Sequence, residues 1–184
     1  MHIVYDSKIL VRENALSVEE ISKILNRSDL SFKKAGITLP NDISGKLSNH
    51  RRVWTATFID YNLTEKLNQL FREASDIFNI TFDAPLTDLA IMRYKSSDHG
   101  HYGWHIDTFD KPLDKKNRKL SMTVILDETY TGGCLCFENK KFENLSPGTC
   151  VIFSSDLKHC VEPVTSGTRH SLVSWAYEKT LDSF

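Results

Sequence analysis

The stretch His159-Cys160-Val161-Glu162-Pro163-Val164-Thr165-Ser166-Gly167-Thr168-Arg169-His170-Ser171-Leu172-Val173-Ser174-Trp175-Ala176-Tyr177 reads as two short strands, 159–164 and 170–177, about a Thr165-Ser166-Gly167 turn. In the second run the side chains alternate. Arg169, Ser171, Val173 and Trp175 fall on one face, and His170, Leu172, Ser174 and Ala176 on the other. Upstream the same texture recurs at 89–94, 102–108, 120–126, 134–138 and 149–154, with Thr131-Gly132-Gly133 and Ser146-Pro147-Gly148 supplying turns. Seven short strands at this spacing predict an antiparallel sandwich or barrel.

Before Pro85 the pattern differs. Ser17-Val18-Glu19-Glu20 is a capping box, and Ile21, Ile24 and Leu25 follow at helical spacing, predicting a short helix over 18–26. Gly36, Pro40, Asn41, Asp42 and Gly45 break up 28–50, a strand is expected near 53–59, and the rest of the first third reads as helix and irregular structure. From Thr64 onward, Leu67, Leu70, Phe71, Ala74, Ile77 and Phe78 trace an amphipathic helix that packs one face on something large. The chain is thus read as one domain over 1–184, with a helix-rich support at 1–85 and a β core at 86–184.

Length agrees, since 184 residues at about 150 per domain suggest a single unit. Lys plus Arg total 23 against 24 Asp plus Glu, and neither sign forms a long block, so nucleic-acid capture is not expected. No apolar run reaches the roughly 18 residues of a membrane span, and charges at Asp6, Lys8, Arg12 and Glu13 interrupt any signal-peptide core. A cytoplasmic protein without membrane contact is the expectation. The four cysteines, Cys134, Cys136, Cys150 and Cys160, lack paired C-x-x-C spacing and read as reduced thiols, with Cys134 and Cys136 on one face of a strand.

Three positions suggest metal chemistry. His105 and Asp107, one residue apart, would point to one side of a strand, and His159 opens another. Two histidines and one carboxylate fill three positions of an octahedral ion and leave three open, an arrangement associated with non-haem Fe(II). Arg169 with Ser171 on one face suits a bidentate hold on a carboxylate. His99 and His101 follow a turn and are read as surface or rim residues, His170 as packed or exposed, and Trp104 and Trp175 as core, with Trp104 able to border a substrate.

Taken in order, Tyr102-Gly103-Trp104-His105-Ile106-Asp107-Thr108, Gly132-Gly133, Ser146-Pro147-Gly148 and the 159–169 segment resemble the Fe(II)- and 2-oxoglutarate-dependent dioxygenases, most closely the prolyl 4-hydroxylase-like branch with its bacterial and phage-type hydroxylases. The resemblance covers about 90–177. It implies a mainly β fold with flanking helices, a double-stranded β-helix (jelly-roll) with N-terminal helical support. It further implies iron held by His105, Asp107 and His159, and Arg169 paired with the distal carboxylate of 2-oxoglutarate beside Ser171. Tyr94 would line the cosubstrate pocket, and the second pocket hydroxyl is offered by Thr123, with Ile125 the other residue at that place.

The activity implied is hydroxylation of a C–H bond, first of a prolyl residue in a protein or peptide. It consumes O2, releases succinate and CO2, and uses ascorbate to keep iron reduced. Arg51, Arg52, Trp104 and a charged 110–119 loop are candidates for the substrate rim. Two alternatives stand beside it: an oxygenase acting on a free amino acid or other small molecule, and a cupin-like metal-binding module without oxygenase activity. Arg169-x-Ser171 argues against the latter.

Overall fold

The computed structural model describes residues 2–5, 7–39, 42–46, 49–83, 88–108 and 117–178. Most of the charged 110–119 loop therefore lies outside the described residues. In chain order, strands β1 (His2–Tyr5) and β2 (Ile9–Arg12) precede helix α1 (Val18–Leu25), then β3 (Lys33–Lys34), β4 (Ile37–Leu39), β5 (Asp42–Lys46), β6 (Arg51–Arg52) and β7 (Trp54–Ile59). Helix α2 (Tyr61–Phe78) leads to β8 (Asp88–Lys95), β9 (His101–His105), β10 (Arg118–Ile125), β11 (Tyr130–Gly132) and β12 (Leu135–Phe137). The chain closes with β13 (Lys140–Phe142), β14 (Cys150–Ser154), β15 (His159–Val161) and β16 (Val164–Tyr177).

Local chemistry sets the helices. At α1 the Ser17 hydroxyl accepts from the Glu20 amide at 3.2 Å and Glu20 accepts from the Ser17 amide at 2.7 Å, the capping box read from sequence. Helix α2 begins before Thr64 because Asp60 caps it, accepting from the Leu63 amide at 3.0 Å. It stops where Asn79 turns left-handed at φ 53°. Both helices bury their apolar stripe, Ile21 and Ile24 from one and Leu67, Phe71 and Ala74 from the other, against one face of a large sheet.

That sheet runs β1-β2-β14-β10-β16-β8-β7-β3, with β11 paired to the end of β16, and every pairing is antiparallel. A smaller sheet runs β13-β12-β15-β9-β6. Alternation decides which side chains meet which layer. Leu89, Ile91, Leu120, Met122, Ile152 and Leu172 face the helices, while Ala90, Met92, Tyr94, Val151 and Phe153 face Leu135, Phe137 and Val161 of the smaller sheet. The result is the expected jelly-roll sandwich with helices on its outer side, and the space between the sheets holds the site.

Several expectations need correction. The strand expected near 53–59 is β7, paired with β8, but the rest of the first third is not only helix and irregular structure: β2 pairs with β14 (Leu10 opposite Ile152), so a further segment before Pro85 completes the large sheet. Thr165-Ser166-Gly167 is not a hairpin turn. The strand continues through it, Gly167 adopting φ +72° while it and Ser166 pair with Tyr130 and Thr131 of β11. Cys134 lies just outside β12, whereas Cys136 sits opposite Cys160 across the β12–β15 pair. All four cysteines are free thiols, as expected.

Candidate metal and anion site

His105 closes β9 and His159 opens β15, and the two residues are register partners in the smaller sheet. Asp107 is not on the strand with His105. The chain has bent by then, and the Asp107 amide donates to the Ser155 carbonyl at 2.9 Å. The three still converge, each offering one ligand atom within 4.8 Å of the others, the one such group among the described residues. Their side chains are only 14%, 11% and 7% exposed. The His105 ring contacts the Gly103 carbonyl through Nδ1 at 2.7 Å and the His159 ring contacts the Leu157 carbonyl at 2.9 Å. A carbonyl only accepts, so both Nδ1 atoms carry the proton and both Nε2 lone pairs are left for an ion.

Electrostatics prepare the same state. Burial, reinforced by the neighbouring His159, pushes the His105 imidazole down to about 4, so it is neutral near pH 7. At Asp107 burial acts to raise the carboxyl, but the charges of His159, Arg118 and His105 and the Ser121 hydrogen bond outweigh it and hold it below the usual range. Asp107 Oδ2 accepts from Ser121 Oγ at 2.7 Å and from Trp175 Nε1 at 3.0 Å, while Oδ1 has Arg118 NH1 and His105 Nε2 at 3.7 Å. Oδ1 is thus the oxygen less engaged by direct hydrogen bonds.

Across the cavity, on β16 of the larger sheet, Arg169 is 1% exposed. Its NH1 donates to Ser171 Oγ at 3.0 Å, its guanidinium lies 5.3 Å from the centre of the Tyr94 ring, and its Nε has no partner among the described residues. Among the described residues no carboxylate lies within salt-bridge distance of it. A buried, permanently charged guanidinium without an anion is costly, so this arrangement fits a bound carboxylate. Gly133 makes room for it: at φ +62°, a Cβ there would stand 2.9 Å from Arg169 Cδ.

One cavity is lined by His105, Asp107, His159, Arg169, Ser171, Tyr94 and Thr123, the residues expected to hold the ion and the cosubstrate, and by Arg51 of the rim candidates, but not by Arg52. Of the two residues at the second hydroxyl position, Thr123 lines it and Ile125 does not. Sequence reading missed Ser121 and the Trp175 indole as donors to Asp107; the alternation placing Ser121 and Thr123 on one face was the available signal. It also missed Tyr102, which stacks on His105 with ring centres 3.5 Å apart, beneath the Arg51 guanidinium. Trp104 is neither core nor cavity wall but 45% exposed. His101 is tied to the His99 and Asn49 carbonyls, and His170 to Asp127 at 2.5 Å, both away from the cluster.

Residues 89–177 match the model of the 2OG-Fe(II) oxygenase superfamily. A PKHD-type hydroxylase of Synechococcus sp. (strain CC9605) is 38% identical over 102 residues, covering 50% of this chain and 45% of that protein. The match thus spans less than half of that relative's length. A PKHD-type hydroxylase of Prochlorococcus marinus (strain MIT 9515) is 30% identical over 177 residues, 87% of this chain and 79% of that one. In fold, the chain is similar to the viral collagen prolyl hydroxylase of Paramecium Bursaria Chlorella virus-1, solved as its 2OG complex, with a TM-score of 0.67 at 19% identity over 94% of this chain and 97% of that one. Site geometry, family match and relatives agree, and the chain belongs to the 2OG-Fe(II) oxygenase superfamily, among whose members the PKHD-type hydroxylases are similar to it.

Proposed function

We propose that the protein is an Fe(II)- and 2-oxoglutarate-dependent dioxygenase that hydroxylates a C–H bond, with a prolyl residue of a polypeptide as the target. The observation that carries this reading is the pairing, in one cavity, of the His105-Asp107-His159 cluster with a buried arginine that has no carboxylate partner among the described residues. His105, Asp107 and His159 would hold the ion, and Arg169 with Ser171 would hold the far carboxylate of 2-oxoglutarate, with Tyr94 and Thr123 lining its course. Bound together, iron, 2-oxoglutarate and O2 supply the oxidising power, and succinate and CO2 leave as products.

The protein's own part is positioning. Carbonyl contacts at Gly103 and Leu157 keep both imidazole Nε2 atoms aimed inward, Ser121 and Trp175 hold the Asp107 carboxylate, and Tyr102 braces the His105 ring. Apolar walls from Met92, Leu135, Phe153 and Val161 keep water away from the reacting centre. Ascorbate as reductant and a cytoplasmic location belong to the same proposal; among the described residues no helix is long and apolar enough to cross a membrane. The prolyl target is supported by the viral collagen prolyl hydroxylase fold and the hydroxylase relatives. The test is succinate release from 2-oxoglutarate with added Fe(II), coupled to a 16 Da gain on proline-containing peptides. Succinate without any peptide oxidation would remove the prolyl assignment, and no succinate at all would remove the activity.

A further inference from the structure

Beside the cavity, where Val53 carries the chain from β6 in the smaller sheet to β7 in the larger, lies a groove of about 420 Å³ lined by Lys34, Asn49, Arg51, Arg52, Trp54 and Asp98 among others. Arg51 lines both the groove and the cavity, so that side chain stands where the two adjoin. The groove is cationic: besides Lys34, Arg51 and Arg52 on its walls, Lys95 and Arg93 stand 5.1 and 6.0 Å from the Trp54 ring, and Lys33 is exposed next to Lys34. Its single lining carboxylate, Asp98, already accepts from Trp54 Nε1 at 2.7 Å.

None of these six cations has a carboxylate within salt-bridge distance among the described residues. Elsewhere pairing is common: Lys66 with Glu20 at 2.7 Å, Arg72 with Glu65 at 2.7 Å, Lys119 with Glu178 at 3.1 Å and Lys141 with Glu162 at 3.0 Å. Within the cluster, Arg51 donates to the Gly36 carbonyl at 3.0 Å and Arg52 to Asn49 Oδ1 at 3.0 Å, and the buried Nε atoms of Arg51 and Arg93 have no partner among the described residues. In a chain of net charge −1, the three cations that line the groove, Lys34, Arg51 and Arg52, repel one another with Lys33, Arg93 and Lys95 nearby, and an anion laid along them relieves that cost.

The arrangement favours carboxylates on a polypeptide over a nucleic acid. The Trp54 ring is the aromatic surface of the groove, and it is already attended by Lys34, Arg93 and Lys95, which leaves little open face for a base to stack on. We infer that the substrate is an acidic polypeptide segment, whose target residue enters the cavity past Arg51 while Asp or Glu side chains on one flank lie along Arg52 and Lys34. This deepens the oxygenase reading and rests on it.

Binding and turnover can be measured separately. The full chain, loaded with Mn(II) and 2-oxoglutarate, is titrated into fluorescent peptides of identical length in which a central proline is flanked by glutamate, glutamine or lysine. The glutamate peptide should bind roughly tenfold or more tightly than the glutamine one, as two or three exposed ion pairs would provide, and the preference should shrink with added salt. The lysine peptide should bind weakest. Lys34→Glu with Arg52→Glu should erase the preference while leaving 2-oxoglutarate binding and melting temperature unchanged. If that double variant fails to fold, the peptide series and salt dependence on the native protein still decide the matter.

Equal binding of the glutamate and glutamine peptides overturns the proposal. So does tighter binding of a single-stranded oligonucleotide of similar charge. Glutamate-selective binding without any 2-oxoglutarate turnover would uphold the groove's role and overturn the oxygenase reading instead.

Discussion

Replacing Trp175 by Phe isolates one hydrogen bond. The indole donates to Asp107 Oδ2 at 3.0 Å, the same oxygen that Ser121 Oγ reaches at 2.7 Å, while the Arg118 guanidinium lies 3.8 Å from the centre of the Trp175 ring. Phenylalanine keeps a ring for that guanidinium and most of the packing, and loses the N–H. A hydrogen bond to a charged acceptor contributes about 1.5–3 kcal/mol, and donors that orient a metal-binding carboxylate typically change affinity about 10–100-fold. We therefore expect Trp175→Phe to weaken Mn(II) or Fe(II) binding roughly tenfold to a hundredfold. The dissociation constant for 2-oxoglutarate, measured at saturating metal, should move far less. Ser121→Ala should act in the same direction. Because both donors serve one oxygen, the double variant should depart from the sum of the single effects. Anaerobic metal titration followed by calorimetry reads each value directly. If Trp175→Phe and Ser121→Ala each bound metal as tightly as the native protein, the claim that these donors prepare Asp107 as a ligand would be wrong.

Arg169→Ala should raise the KM for 2-oxoglutarate by roughly thirtyfold or more, the equivalent of losing a buried charged contact of about 2–5 kcal/mol, and Arg169→Lys should raise it less; initial-rate kinetics on both variants checks this. Gly133→Ala forces a side chain into a backbone at φ +62° and toward Arg169 Cδ, so it should cost about 1–2 kcal/mol in denaturant unfolding and weaken 2-oxoglutarate binding. The His105 imidazole, down at about 4 when folded, gains its proton first in the unfolded chain as pH falls below the ordinary value of 6.5. Stability of the metal-free protein should therefore drop between about pH 6.5 and 4, by on the order of 3 kcal/mol, and show no further loss from this group below that window. Thermal melts across that range, with and without His105→Gln, separate its contribution from the rest.

Much of the site was legible because β structure has a period of two. Alternation along 169–175 placed Arg169, Ser171, Val173 and Trp175 on one face, and all four line the cavity. Strand existence was equally clear where β-branched and aromatic runs exceeded four or five residues. The N-terminal hairpin was not: Ile9-Leu10-Val11 is too short to show a period, and it is a strand because β14 offers it an edge. The strand through Thr165-Ser166-Gly167 was missed for the opposite reason, since a turn-forming triplet is held extended by pairing with β11. Asp107 does join His105 and His159 in one cluster, but not by strand alternation, as the chain leaves β9 at His105 and a bend brings the carboxylate back. The donors from Ser121 and Trp175, and the stacking of Tyr102 on His105, depend on which strands become neighbours, and that is a property of topology.

The most direct test of the account is to titrate the native protein, His159→Ala and Arg169→Ala with Mn(II) and then with 2-oxoglutarate in the same calorimeter cell. Two ligands cannot hold a labile divalent ion as three do, so His159→Ala should lose the metal and, with it, most of the 2-oxoglutarate binding. Arg169→Ala should bind metal like the native protein and bind 2-oxoglutarate far more weakly. Unchanged metal binding in His159→Ala, or unchanged 2-oxoglutarate binding in Arg169→Ala, would contradict the assignment of these residues to a metal site and an anion site within one cavity.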